Sequence, residues 1–182
     1  TSNSVRAAIT VFHKDKVIKG FRISPLIRFK NEERDKLLIP EVLTNTLSDY
    51  IQVVDSTNKT FKKIAKDLTL IYDKWIKESD IKLKDIVSKE ETKYLLDIPN
   101  TCRYYTTGSS YKLNRKGSNK IYLKDEDEYN FIYCLINSSF TYWWWRIYDG
   151  GITYPVGLLN DLPIPIKLIT IEDKKFFTDI ST

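Results

Sequence analysis

Between residues 98 and 124 the chain carries Arg103, Lys112, Arg115, Lys116, Lys120 and Lys124, and neither Asp nor Glu. These six cations outweigh the net +5 of the whole chain. Tyr104, Tyr105, Tyr111 and Tyr122 are interleaved with them, together with Thr106, Thr107, Ser109, Ser110, Asn114, Ser118 and Asn119. Lys and Arg neutralise phosphates and release counterions. Hydroxyl and amide groups add hydrogen bonds to phosphates or base edges. Gly108 and Gly117 let a loop approach another backbone closely. This is the chemistry of nucleic-acid recognition, and Arg103, Tyr105, Lys112, Arg115, Lys116 and Lys120 are its candidate contacts. The alternative is a solvated basic hairpin whose tyrosines pack inward.

A second cluster is Trp143-Trp144-Trp145-Arg146. A helix turns about 100° per residue, so three consecutive indoles cannot all face one core. Two of them fit an aromatic core spread over two packed faces. At least one should meet another element, a further domain or a ligand. Arg146 can contact phosphate or stack on a Trp ring. The cluster is therefore a candidate support or domain-docking surface.

Other chemistry is thin. Cys102 and Cys134 are far apart and the only histidine is His13, so a zinc site is hard to assemble and no metal is expected. One histidine makes no persuasive Ser-His or Cys-His dyad, and no Gly-rich loop follows a strand to cradle a nucleotide. Glu172-Asp173-Lys174, with Asp161 upstream, matches the short acid-x-Lys pattern of metal-dependent nucleases. In a chain this rich in Lys and acids such a pattern is common by chance, and a charged helix face is the favoured reading.

The elements that must position these groups follow from pattern. Residues 5–12 and 17–23 read as strands, with a polar turn between them. Residues 40–88 read as helical: Phe61, Ile64, Leu68, Ile71 and Trp75 recur at helical spacing, and 81–87 suggests a further helix. Residues 103–107 and 120–124 read as strands, with loop chemistry at Gly108-Ser109-Ser110 and Lys116-Gly117-Ser118-Asn119 between them. Residues 125–148 predict one long helix, with Asp125 to Glu128 favoured at its positive end and Asp149-Gly150-Gly151 stopping it. A short strand at 152–154, a proline-rich turn at 162–166 and a terminal helix from 171 complete the chain. The fold class is α+β. Three regions result: closing strands of a preceding domain at 1–30, a helical segment at 31–97, and a recognition module at 98–182.

With 42% hydrophobic and 29% charged residues, the chain has the composition of a folded globular protein. No apolar run is long enough to span a membrane, which points to the cytoplasm. The chain starts at Thr1 and contains no methionine, so it reads as part of a longer protein.

The order of several motifs is specific. Arg103-Tyr104-Tyr105 precedes a Lys/Arg-rich loop. Asn137-Ser138-Ser139-Phe140, Tyr142-Trp143-Trp144, Asp149-Gly150-Gly151 and Leu162-Pro163-Ile164-Pro165 follow in turn. This order resembles the region downstream of the catalytic loop in bacterial adenine-specific (N6) DNA methyltransferases of restriction-modification systems, with a TaqI-like specificity domain. The resemblance covers about 98–166, is weaker over 1–23 and does not extend to 24–97. It implies a parent enzyme that uses S-adenosylmethionine to methylate adenine in a short DNA site. The family's Asn/Asp-Pro-Pro-Tyr/Phe catalytic loop is not in this sequence, so no catalytic or cofactor residue carries over. The expectation is a non-catalytic target-recognition portion that binds double-stranded DNA and docks the methyltransferase domain of the same parent. A protein-interaction scaffold is the alternative, and a nuclease fragment the more distant one.

Overall fold

The structure is a computed structural model that describes residues 21–23, 30–37, 39–41, 52–54, 62–64, 66–102, 104–149 and 151–181. The expected strand at 5–12, residues 17–20 of the expected strand at 17–23, Phe61, Arg103 and Gly150 lie outside these residues.

The first described strand, β1 (Phe21–Ile23), pairs antiparallel with β2 (Gln52–Val54), Arg22 opposite Val53. A 3-10 turn at Asn31–Glu33 runs into a single helical turn, α1 (Arg34–Leu37). β2 falls inside the stretch expected to be helical. Its two consecutive valines, stiff at Cβ, favour an extended chain.

The helix α2 (Thr69–Glu78) begins later than the periodicity predicts. Residues 62–64 have no regular secondary structure, and Lys63 is held at both ends. Its N–H donates to Ile147 O (2.8 Å) and its ammonium to Asp149 O (2.6 Å). Ile64 is thereby buried without being helical. Ile64, Leu68 and Trp75 of the expected stripe lie in or against the core, while Ile71 is exposed and Tyr72 takes the inward place beside it.

The segment expected to be a helix at 81–87 divides. β3 (Ile81–Lys82) pairs antiparallel with β6 (Pro163–Ile164), and α3 (Leu83–Ile86) is one turn, with Asp85 accepting from Lys82 N (2.8 Å). Next comes a hairpin of β4 (Tyr94–Pro99) and β5 (Ser118–Leu123), in register from Tyr94 opposite Leu123 to Pro99 opposite Ser118. β4 was not foreseen; its middle residues are buried on both faces, so they show no alternation to read. The division drawn at 97/98 falls within β4, and one core runs from Ile64 to Ile164 across it.

The long helix predicted at 125–148 is two helices, α4 (Glu126–Asn137) and α5 (Ser139–Tyr148). Asp125 caps α4, its carboxylate accepting from Glu128 N (3.0 Å). Ser138 makes the break. Its hydroxyl donates to Leu135 O (2.7 Å) and accepts from Phe140 N (3.2 Å), so one side chain ends one helix and starts the next. Thr141 also donates to Leu135 O (2.7 Å).

After the short helix α6 (Val156–Asn160) and β6, the terminal helix α7 (Ile171–Ser181) lies along α4. Thr170 and Asp173 form a reciprocal cap at its start, each accepting from the other's backbone N–H. Phe177 packs on Phe131, and Asn130 bonds Thr178 and Ser181. Helices and separate antiparallel strand pairs make this an α+β fold. Among the described residues, no helix is long and apolar enough to cross a membrane.

Candidate functional site

Most of the basic stretch is an eighteen-residue excursion, residues 100–117, between β4 and β5, with Lys120 on β5 and Lys124 just after it. Two side chains fix it. Asp97, wholly buried in β4, exchanges both backbone hydrogen bonds with Ser109 (2.9 and 3.0 Å). Its carboxylate Oδ2 also accepts from Leu113 N (2.9 Å), a charge-assisted bond. Oδ1 is buried with no partner among the described residues.

Asn137, the last residue of α4, is the second anchor. Its Oδ1 accepts from Gly108 N (3.0 Å) and Thr107 Oγ1 (3.1 Å), and its Nδ2 donates to Gly108 O (3.1 Å) and Tyr133 O (2.9 Å). That uses the full capacity of one amide. Thr106 donates to Ile136 O (2.9 Å), so a loop side chain satisfies one of the open carbonyls at the end of α4. Gly108 lies so close that a Cβ there would sit 3.0 Å from Ile136 Cγ2. Between this loop and α4 is a cleft of about 300 Å³, walled by Thr107, Ser109, Tyr111, Leu113, Tyr133 and Asn137 among others.

The stretch expected as a strand at 103–107 is irregular over 104–108, because its threonines bond α4 and not a neighbouring strand. Tyr104, Tyr105 and Tyr111 are 80%, 68% and 67% exposed, which removes the inward-packed alternative for three of the four tyrosines. Arg115, Lys116 and Lys120 are exposed and make no ion pair among the described residues. Lys112 meets Glu91 at 3.3 Å, with both side chains exposed. Such a pair is worth at most about 1 kcal/mol, so a phosphate can displace the carboxylate. Arg103 lies outside the described residues.

The tryptophans meet partners within this chain. Trp145 is wholly buried, donates Nε1–H to Thr153 O (3.1 Å) and stacks on Tyr154. Trp144 is buried beside Tyr72 and Tyr148. Trp143 is half-buried against Phe140 and Tyr72. The Arg146 guanidinium lies 5.6 Å from the Trp145 ring. Burial pushes the Tyr148 and Tyr154 hydroxyls well above their ordinary range.

The acid-x-Lys residues have local partners. Asp173 caps α7, Lys174 pairs with Asp127 (2.8 Å), and Asp161 meets Lys82 (3.0 Å) and Lys84 (3.3 Å). The bond from Lys82 helps hold the Asp161 carboxyl below its ordinary value. Among the described residues, no three His, Cys, Asp or Glu side chains converge as a metal site.

Sequence reasoning missed Asp97 and the role of Asn137. A lone Asp in the apolar run Tyr94-Leu95-Leu96-Asp97-Ile98-Pro99 was the available signal for the first. Asn137 was noted only as part of a motif, since a continuous helix would have hidden its capping position.

Comparison with family models, curated proteins and solved structures gives no match for this chain.

Proposed function

We propose that this chain is the DNA-reading portion of a bacterial restriction-modification adenine-N6 methyltransferase, and that it does not itself transfer the methyl group. The observation that carries the DNA-binding reading is the anchored excursion, which turns three tyrosines, Arg115 and Lys116 to solvent next to exposed Lys120 on β5, the three cations making no ion pair among the described residues. Cations on a fixed scaffold give phosphate affinity, and aromatic and hydroxyl groups beside them give contacts to sugar and base. The methyltransferase parent rests on the motif order from Arg103 to Pro165.

We read no S-adenosylmethionine site into this chain, and the antiparallel strand pairs and the packing of Gly108 against Ile136 support that reading. The cofactor, the catalytic loop and extrusion of the target base belong to the methyltransferase domain of the parent. The working compartment is the cytoplasm, where the DNA is.

A scaffold role is the second reading. Ile171, Phe176 and Ile180 favour it, since all three are exposed apolar residues on α7.

Duplex DNA binding measured against salt separates the two. DNA reading requires steeply salt-dependent affinity. Arg115→Ala/Lys116→Ala should weaken binding and flatten the slope of log K against log salt by about 2, at roughly 0.9 per phosphate contact. A folded chain that binds no duplex at low salt overturns this reading and leaves the scaffold.

A further inference from the structure

We infer that base reading is concentrated at the three-residue tip Ser110-Tyr111-Lys112, with Tyr111 as its specificity-determining residue, while Arg115 and Lys116 supply sequence-independent phosphate contacts. The inference rests on the DNA-binding reading above and divides its labour.

The division follows from how each part of the excursion is held. One buried residue, Asp97, grips the tip on both sides. Its backbone pairs with Ser109 on one flank, and its carboxylate accepts from Leu113 N on the other. The amide of Asn137 fixes Gly108 just before the first grip, and a Cβ-free contact with Ile136 keeps that part of the loop close to α4. Only Ser110, Tyr111 and Lys112 project between the two grips. Beyond Leu113 the pattern changes. Arg115 N bonds Leu113 O (2.9 Å) within the loop, and no hydrogen bond ties 114–116 to the rest of the fold among the described residues, until Gly117 O accepts from Asn100 N (2.9 Å).

Base discrimination needs donors and acceptors held to a fraction of an ångström, because a misplaced contact gains little from the right base over the wrong one. Phosphate neutralisation depends on charge and tolerates movement. Tyr111 has the required character at the anchored tip: two-thirds exposed, with a hydroxyl that donates and accepts and a ring that presents little rotamer entropy. The polar cleft behind it gives a base edge or a bridging water hydroxyl groups to meet, Ser109 and Thr107 among them. Asp97 is a positioning residue, since its carboxylate is buried away from any DNA.

The test is selection by the full chain from a duplex pool with a randomised central segment, followed by affinity for the selected duplex and for a scrambled one as a function of salt. Tyr111→Ala should lower the ratio of the two affinities about tenfold, the scale of one base contact, and leave the salt slope unchanged. Arg115→Ala/Lys116→Ala should weaken both duplexes alike, flatten the slope and preserve the ratio. Asp97→Asn keeps an acceptor for Leu113 N–H and should retain the ratio, whereas Asp97→Ala should lose it. Tyr111 is exposed, so its truncation tests the idea even where Asp97→Ala fails to fold.

Salt-dependent binding with no enriched sequence overturns the inference and leaves the DNA-binding reading standing. The same holds if Tyr111→Ala preserves the ratio. Absence of any duplex binding overturns both.

Discussion

Two aromatic stretches of this chain have opposite fates. Trp143, Trp144 and Trp145 lie buried or half-buried on α5, while Tyr104, Tyr105 and Tyr111 stand exposed on the excursion from the β4–β5 hairpin. The difference comes from the backbone each stretch occupies. On α5 the rings fan out around a helix wedged between other elements, and Phe140, Tyr72, Tyr148 and Tyr154 meet them. In the excursion the threonines, Gly108 and the backbones of Ser109 and Leu113 turn inward onto α4 and Asp97. Small polar groups occupy the inner side there, and the tyrosines are left outside. Aromatic content alone therefore does not separate core from contact surface; what the neighbouring polar groups bond to does.

Truncation sharpens the comparison most. Trp145→Ala removes a wholly buried indole and its bond to Thr153 O. It should cost about 3–5 kcal/mol in urea unfolding, as large-to-small core changes do. Tyr105→Ala should stay within about 0.5 kcal/mol of the parent, as exposed positions do. Equal losses at the two sites would mean that the exposed tyrosines belong to a packed surface, and the contrast would fall.

An intermediate effect is expected where the two regions touch. Gly108→Ala places a methyl 3.0 Å from Cγ2 of Ile136, which is wholly buried on α4 and has little freedom to give way. The strain should cost about 1–3 kcal/mol and lift the loop from the helix, breaking the Asn137 bonds. Amide exchange at Gly108, whose N–H is bonded to Asn137 Oδ1, should quicken with it. An unchanged unfolding midpoint with unchanged exchange would show that the excursion is not clamped.

The sequence made some of this legible and hid the rest for physical reasons. The α+β class, β5, the acidic start of α4 and the terminal helix follow from local patterns that packing did not override. The first break came at Ser138, where a hydroxyl that serves two helices looks, in sequence, like an ordinary helical residue. The second came at Lys63, whose bonds to Ile147 and Asp149 span more than eighty positions and pull the chain out of a helix its periodicity favours. The candidate cations were legible from composition. Their arrangement was not, because it depends on a buried carboxylate at Asp97 and an amide at Asn137, each distant in sequence from the loop residues it holds.

The smallest effect concerns the joint between the two regions. Cys102 opens the excursion, its N–H bonded to Ile152 O (3.1 Å), and it is 2% exposed. Burial pushes its thiol up to about 11 from an ordinary 9.0. Across that window the unfolded chain loses the proton while the folded chain keeps it, so this group makes stability fall as pH rises. Below pH 9 its contribution is fully present. In the folded protein at pH 8, alkylation should therefore mark the part-buried Cys134 first and reach Cys102 only as fast as the joint opens. Gly108→Ala should raise the Cys102 rate if loosening spreads back along the excursion. Labelling of Cys102 as fast as Cys134 in the parent would show that the joint opens readily and move the boundary of the protected region back to Asp97.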